Sequence, residues 1–127
     1  MAQGFLQSFD KRLQVFSAGT VPARRINPTA VRVMKELGID ISKNRPENVA
    51  RYLNDEWDYV ITVCDDARES CPVFSGKVRN RLHRGFKDPS KAEGSYTEIM
   101  NVFYDVRNEI RNEFHELFES EIKKKIN

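Results

Sequence analysis

A chain of 127 residues with 39% hydrophobic content can bury one compact core, and a mean hydropathy of -0.62 surrounds that core with charge. The 21 basic and 19 acidic residues leave a net charge of only +2. That balance argues against a nucleic-acid partner, because a binder gathers Lys and Arg on one element. No apolar run approaches the roughly 20 residues of a membrane span. Met1-Ala2-Gln3-Gly4-Phe5-Leu6 has neither the charged nor the long apolar region of a signal peptide. The expectation is a cytoplasmic protein with no membrane partner, in which two cysteines, Cys64 and Cys71, are working thiols rather than a structural staple.

In chain order, Gly4 to Lys11 reads as the tail of a helix, with Phe5, Leu6 and Phe9 on one side. Leu13-Gln14-Val15-Phe16-Ser17 reads as a short strand broken at Ala18-Gly19-Thr20. Asn27-Pro28 is a helix start, since Asn caps free N–H groups and Pro fits the first helical position. Ala30, Val31, Val33, Met34 and Leu37 follow helical spacing, and Gly38 suits the position just past the end. After an extended link at Ile39-Asp40-Ile41-Ser42, a second helix is expected from near Pro46, carrying Val49, Ala50, Tyr52 and Leu53.

Asp58-Tyr59-Val60-Ile61-Thr62-Val63-Cys64 is the most strand-like segment, apolar enough for a strand covered on both faces. Asp65 to Ser75 reads as a polar loop or short helix, and Asn80 to Phe86 as an edge strand. A loop at Lys87-Asp88-Pro89-Ser90 leads to one long helix. On it Ile99, Phe103, Val106, Ile110, Phe114, Leu117 and Ile122 make one apolar stripe. Lys123-Lys124-Lys125 reads as a solvated, frayed tail. Strands alternating with helices predict an α/β protein, and no repeat or linker divides the chain.

Three segments carry a family resemblance. They are Val15-Phe16-Ser17-Ala18-Gly19-Thr20 with Asn27-Pro28 and the stretch from Met34 to Ser42; Asp58 to Ala67 running into Cys71-Pro72-Val73-Phe74; and Gly85-Phe86-Lys87-Asp88-Pro89 with Val106-Arg107-Asn108-Glu109-Ile110. In this order and spacing they resemble the thioredoxin-coupled arsenate reductases, which share their fold with low-molecular-weight tyrosine phosphatases. The resemblance implies a single domain over 1–127, with a three-layer parallel sheet flanked by helices. It also implies that the usual first central strand and its nucleophile loop are missing. Met1-Ala2-Gln3-Gly4 looks like a stretch internal to the family sequence, as a mis-assigned start, a truncated gene or a shortened expression product would leave it. No Cys is followed by Arg after five intervening residues, as the family's loop requires.

Further expectations rest on the resemblance. The family reduces arsenate through a thiolate cradled by backbone N–H groups, followed by a chain of thiol–disulfide exchanges. Cys64 fits the second thiol and Cys71 the third, with thioredoxin as reductant and arsenate or a phosphate-like oxyanion as substrate. Asp88 before Pro89 resembles the acid of the phosphatase branch, though an Asx turn explains it equally well. Ser17 and Glu47 match positions that contribute to a potassium site in some relatives, but Gln3 stands where Glu is usual. No cofactor is expected to be tightly bound, and two Cys and two His without close pairing do not make a zinc site. His83 has no assigned role. The chain as written is expected to be inactive alone. A tyrosine phosphatase and a non-catalytic binding module are the alternatives.

A central strand contributes burial of order 10 kcal/mol, comparable to the whole stability of a domain, about 5–15 kcal/mol. The expectation is that strands 13–17 and 58–64 close up, or that two chains pair and share a sheet.

Overall fold

The computed structural model of the protein describes residues 1–19, 24–64 and 74–126, without the side chain of Cys64. Helix α1 spans Ala2–Phe9 and buries Gly4, Phe5 and Leu6. Helix α2 spans Pro28–Lys35 and starts as its sequence dictates. The Asn27 carbonyl oxygen Oδ1 accepts from the N–H groups of Thr29 at 2.8 Å and Ala30 at 3.3 Å, and Pro28 occupies the first turn. Just past its end, Gly38 takes the left-handed conformation at φ 77° that lets the chain turn away. Val33 and Met34 are fully buried.

Between these helices the expected strand at 13–17 does not form. The segment is held by side chains of α1 instead. Gln7 Nε2 donates to the Leu13 carbonyl at 2.6 Å, Gln7 Oε1 accepts from the Val15 N–H at 3.3 Å, and Gln3 Nε2 donates to the Val15 carbonyl at 3.0 Å. Two glutamine amides supply the donors and acceptors that a neighbouring strand would offer. Gly19 alone makes a bridge, to Asn48. The second helix expected from near Pro46 is a single 3₁₀ turn over Val49–Tyr52, begun when Asn48 accepts from the Ala50 N–H at 2.9 Å.

Strand β1, Trp57–Cys64, and strand β2, Val78–Phe86, run parallel, with Trp57 opposite Val78 and Ile61 opposite Leu82. Among the described residues β1 has this one strand neighbour. The expected closure of 13–17 onto 58–64 is therefore not seen. The core lies on the sheet face that carries Tyr59, Ile61, Leu82 and Phe86. The opposite face presents Arg79, Arg81 and His83 to solvent. No β1 side chain that the structure describes is fully buried, and Val63 is 37% exposed. The expected two-sided burial fails because the described helices pack on one face of the pair.

Helix α3, Tyr96–Leu117, opens with a capping box: Ser95 Oγ accepts from the Glu98 N–H at 3.2 Å while Glu98 Oε1 accepts from the Ser95 N–H at 3.4 Å. Its predicted stripe of Phe103, Val106, Ile110, Phe114 and Leu117 is buried against α1, α2 and β2. The helix continues through a π-helical turn, Phe118–Ile122, into α4, Lys123–Ile126. The lysine run is solvated but not frayed. Lys125 Nζ donates to Asn80 Oδ1 at 3.2 Å and stands 5.2 Å over the Tyr59 ring, and the Tyr59 hydroxyl reaches the Glu121 carbonyl at 3.3 Å. No described helix is long and apolar enough to cross a membrane.

Candidate functional site

The parallel register brings the predicted chemistry to one edge of the sheet. Cys64 is the last residue of β1 and is paired with Phe86, the last of β2. Asp88 follows two residues later. The carboxyl edge of parallel strands is where open α/β sheets bind ligands, because the loops that leave it can vary without disturbing the ladder. Register shifts between Thr62 and Cys64, so a bulge sits beside the cysteine, a device that re-aims side chains at strand ends. Cys71, and the loop or helix expected from Asp65, lie outside the described residues up to residue 73.

Asp88 is exposed and forms the Asx turn anticipated for it. Its Oδ1 accepts from the Ser90 N–H at 2.9 Å and from the Ser90 hydroxyl at 2.7 Å, starting the short turn Pro89–Lys91. The turn fixes the direction of the carboxylate.

One pair at this edge was not anticipated. Thr62 Oγ1 lies 2.6 Å from His83 Nδ1, and the two residues face one another across the ladder. Sequence spacing could not show it, because strand register is set in three dimensions. The pair bonds an imidazole to a hydroxyl two residues before Cys64. His115 is exposed on α3 with its ring edge-on to Phe9 at 5.3 Å.

Ser17 and Glu47 are drawn into separate contacts. Ser17 Oγ donates to Gln3 Oε1 at 2.6 Å. One Glu47 oxygen accepts from Arg51 Nη1 at 2.9 Å, and the other accepts from the Tyr52 hydroxyl. The only formal charge in the set is thus matched by a guanidinium, and Gln3 is neutral. A hard cation needs a cage of several oxygens with uncompensated negative charge, which these residues fit poorly. Among the described residues no three His, Cys, Asp or Glu cluster as a metal site would require.

The sequence profile of the low molecular weight phosphotyrosine protein phosphatases matches residues 1–127. The chain belongs to this family. Its curated relatives include proteins named arsenate reductase. That of Shouchella clausii is 42% identical over 111 residues, covering 87% of this chain and 78% of the relative. That of Bacillus subtilis is 38% identical over 121 residues, covering 94% and 86%. A solved arsenate reductase in its reduced state superposes with a TM-score of 0.71 at 25% identity, over 91% of this chain and 83% of that one. Within the phosphatase family, then, this chain is of the arsenate reductase kind, and its two parallel strands with their helices are part of that α/β fold.

Proposed function

We propose that this chain supplies the exchanging thiols of an arsenate reductase, with Cys64 and Cys71 passing electrons from thioredoxin toward arsenate. The observation that carries the reading is the placement of Cys64 at the carboxyl end of β1, level with the end of β2 and with Asp88 just beyond. The names of the relatives support the choice of oxyanion.

In the proposed sequence a loop thiolate attacks As(V), forming an As–S bond as one As–O bond breaks and that oxygen leaves, protonated, as water. The Cys64 thiolate then attacks that sulfur. The S–S bond forms, the As–S bond breaks, and its electron pair leaves on arsenic, giving arsenite. Cys71 attacks Cys64 and releases the loop thiolate, and thioredoxin reduces the resulting Cys64–Cys71 disulfide with two electrons and two protons. The loop thiol is not among these residues, because the positions six beyond Cys64 and Cys71 are Ser70 and Lys77 rather than Arg. The 127 residues alone are therefore proposed not to turn arsenate over.

The test is to oxidise the chain mildly and add thioredoxin, its reductase and NADPH. The expected result is about one equivalent of NADPH consumed per chain, since one disulfide takes up two electrons, and none with Cys71→Ser. A disulfide that does not form, or that thioredoxin leaves intact, would overturn the assignment. Sustained arsenate-dependent NADPH consumption would overturn the need for a loop thiol. The second reading, a tyrosine phosphatase, draws on the family profile and on Asp88 at the strand edge. Hydrolysis of a phosphate monoester by the chain would favour it.

A further inference from the structure

Gln3 sits at the centre of a small network. Its Nε2 donates to the Val15 carbonyl at 3.0 Å, and its Oε1 accepts from Ser17 Oγ at 2.6 Å and from Asn44 Nδ2 at 3.4 Å. Three stretches of chain meet there: helix α1, the extended segment 13–17, and the turn after Ile41. We propose that the Gln3 amide holds these stretches together in the way a bound monovalent cation would, so that this chain folds and stays folded without potassium.

An amide has a donor that a carboxylate lacks. The Val15 carbonyl and the Ser17 hydroxyl are opposite in demand: the first needs a donor and the second, as oriented here, gives one. A glutamine side chain offers both an N–H group and an oxygen, so it closes both bonds without any ion. A carboxylate at position 3 has no donor. It would leave the Val15 carbonyl unmatched and would face it lone pair to lone pair. A cation between them is the simple remedy for such a pair of oxygens, and the neutral amide removes the need. Glu47 tells the same way, since its charge is already met by Arg51 and its second oxygen by Tyr52. Gln7, one turn along α1, fastens Leu13 and Val15 by the same amide chemistry.

The experiment is thermal melting of the full chain at constant ionic strength, with choline chloride progressively replaced by potassium chloride and, separately, by sodium chloride. The wild-type midpoint is expected to stay constant within about 1 °C. Gln3→Glu is expected to melt lower in choline by on the order of 5 °C, the scale of a lost, unsatisfied hydrogen bond, and to regain much of that loss as potassium is added. A wild-type midpoint that climbs and saturates with potassium would overturn the proposal. So would a Gln3→Glu variant as stable as wild type in choline. If that variant folds in neither salt, the wild-type titration decides alone. Neither arm involves thiol chemistry, so the result is independent of the proposed reductase role.

Discussion

Arg107 on α3 donates from Nη1 to the Val33 carbonyl of α2 at 3.0 Å. Val33 lies in the last turn of its helix, where carbonyls lack intrahelical partners, so a side chain from another helix satisfies one of them. The guanidinium is otherwise enclosed, with its side chain 11% exposed, 3.5 Å from Glu36 and 4.8 Å from the Tyr104 ring centre. The Tyr104 hydroxyl in turn donates to Glu36 at 2.9 Å, and that bond holds its pKa above the ordinary 10.0. Replacing Arg107 with Ala should cost about 2 kcal/mol in chemical denaturation, because a nearly buried carbonyl loses its donor. Lys should recover only part of this, since an ammonium has no planar fork to stack and donate at once. A cost below about 0.5 kcal/mol, the range of ordinary surface changes, would show that α2 docks without this contact.

The loop after α1 makes an acid-sensitive bond. Asp10 accepts from the Arg12 side chain at 3.1 and 2.8 Å and from its backbone N–H at 2.8 Å. The Arg12 side-chain bonds, with the backbone bond second, lower its pKa from the ordinary 3.8 to about 2. A carboxyl with a depressed pKa favours the folded state fully above 3.8, and its contribution disappears as pH falls through about 2. The carboxyl carbon of Asp10, followed by NMR, should therefore titrate with a midpoint near 2. The Arg12→Ala variant should return it toward the ordinary value. Because the pair lies at the surface, with the Arg12 side chain 58% exposed, the stability at stake is small, and the chemical shift is the informative measurement. An Asp10 midpoint near 3.8 in the wild type would show that the bond is not held in solution.

Gly76 marks where the two strands are brought into line. Its N–H donates to the Leu53 carbonyl at 3.0 Å, and the Trp57 N–H donates to the Lys77 carbonyl at 2.8 Å. A Cβ at position 76 would run into the Asp55 carbonyl oxygen and stand 2.7 Å from the Asn54 backbone. Those are main-chain atoms and cannot rotate away. Gly76→Ala should cost about 3 kcal/mol or more, the upper range for overpacking, whereas Gly19→Ala, with nothing within 4 Å, should stay within about 0.5 kcal/mol. Equal costs at the two sites would mean that the turn shifts freely.

The parts of this molecule written in local chemistry were legible in its sequence. Asn27-Pro28, Gly38 and the stripe on α3 each carry their own cap, stop or period, and each reads directly into an element. The segment 13–17 was misleading because its β-like pattern says only that it is extended. What pairs with it is decided by Gln3 and Gln7, which sit on a helix and carry no strand signal. At the site, the end of a strand could be read at Cys64, but the Thr62–His83 contact depends on register between segments 21 residues apart. The contacts of Ser17 and Glu47 likewise depend on neighbours that motif matching does not weigh.

The remaining edge of β1 leads to a prediction about assembly. Its sequence from Tyr59 to Val63 is rich in β-branched residues and has no Pro or charge, and among the described residues β2 is its only strand neighbour. Native proteins guard such edges with Lys, Pro or a bulge, because unpaired N–H and C=O groups are a template for another chain. The stretch from Tyr59 to Val63 carries neither Lys nor Pro, and the register shift between Thr62 and Cys64 lies in the ladder with β2 rather than on this edge. A second copy is the proposed occupant, since an identical edge offers the same backbone donors and acceptors, which no described strand pairs, and the same apolar side chains. Sedimentation analysis should show a concentration-dependent dimer. Val63→Lys, which puts a charge on a side chain already 37% exposed, should shift the equilibrium to monomer with the circular dichroism spectrum unchanged. A wild-type chain that stays monomeric up to hundreds of micromolar, on the order of the concentrations where weak interfaces appear, would rule out strand sharing. The edge would then be satisfied by water or by contacts outside the ladder.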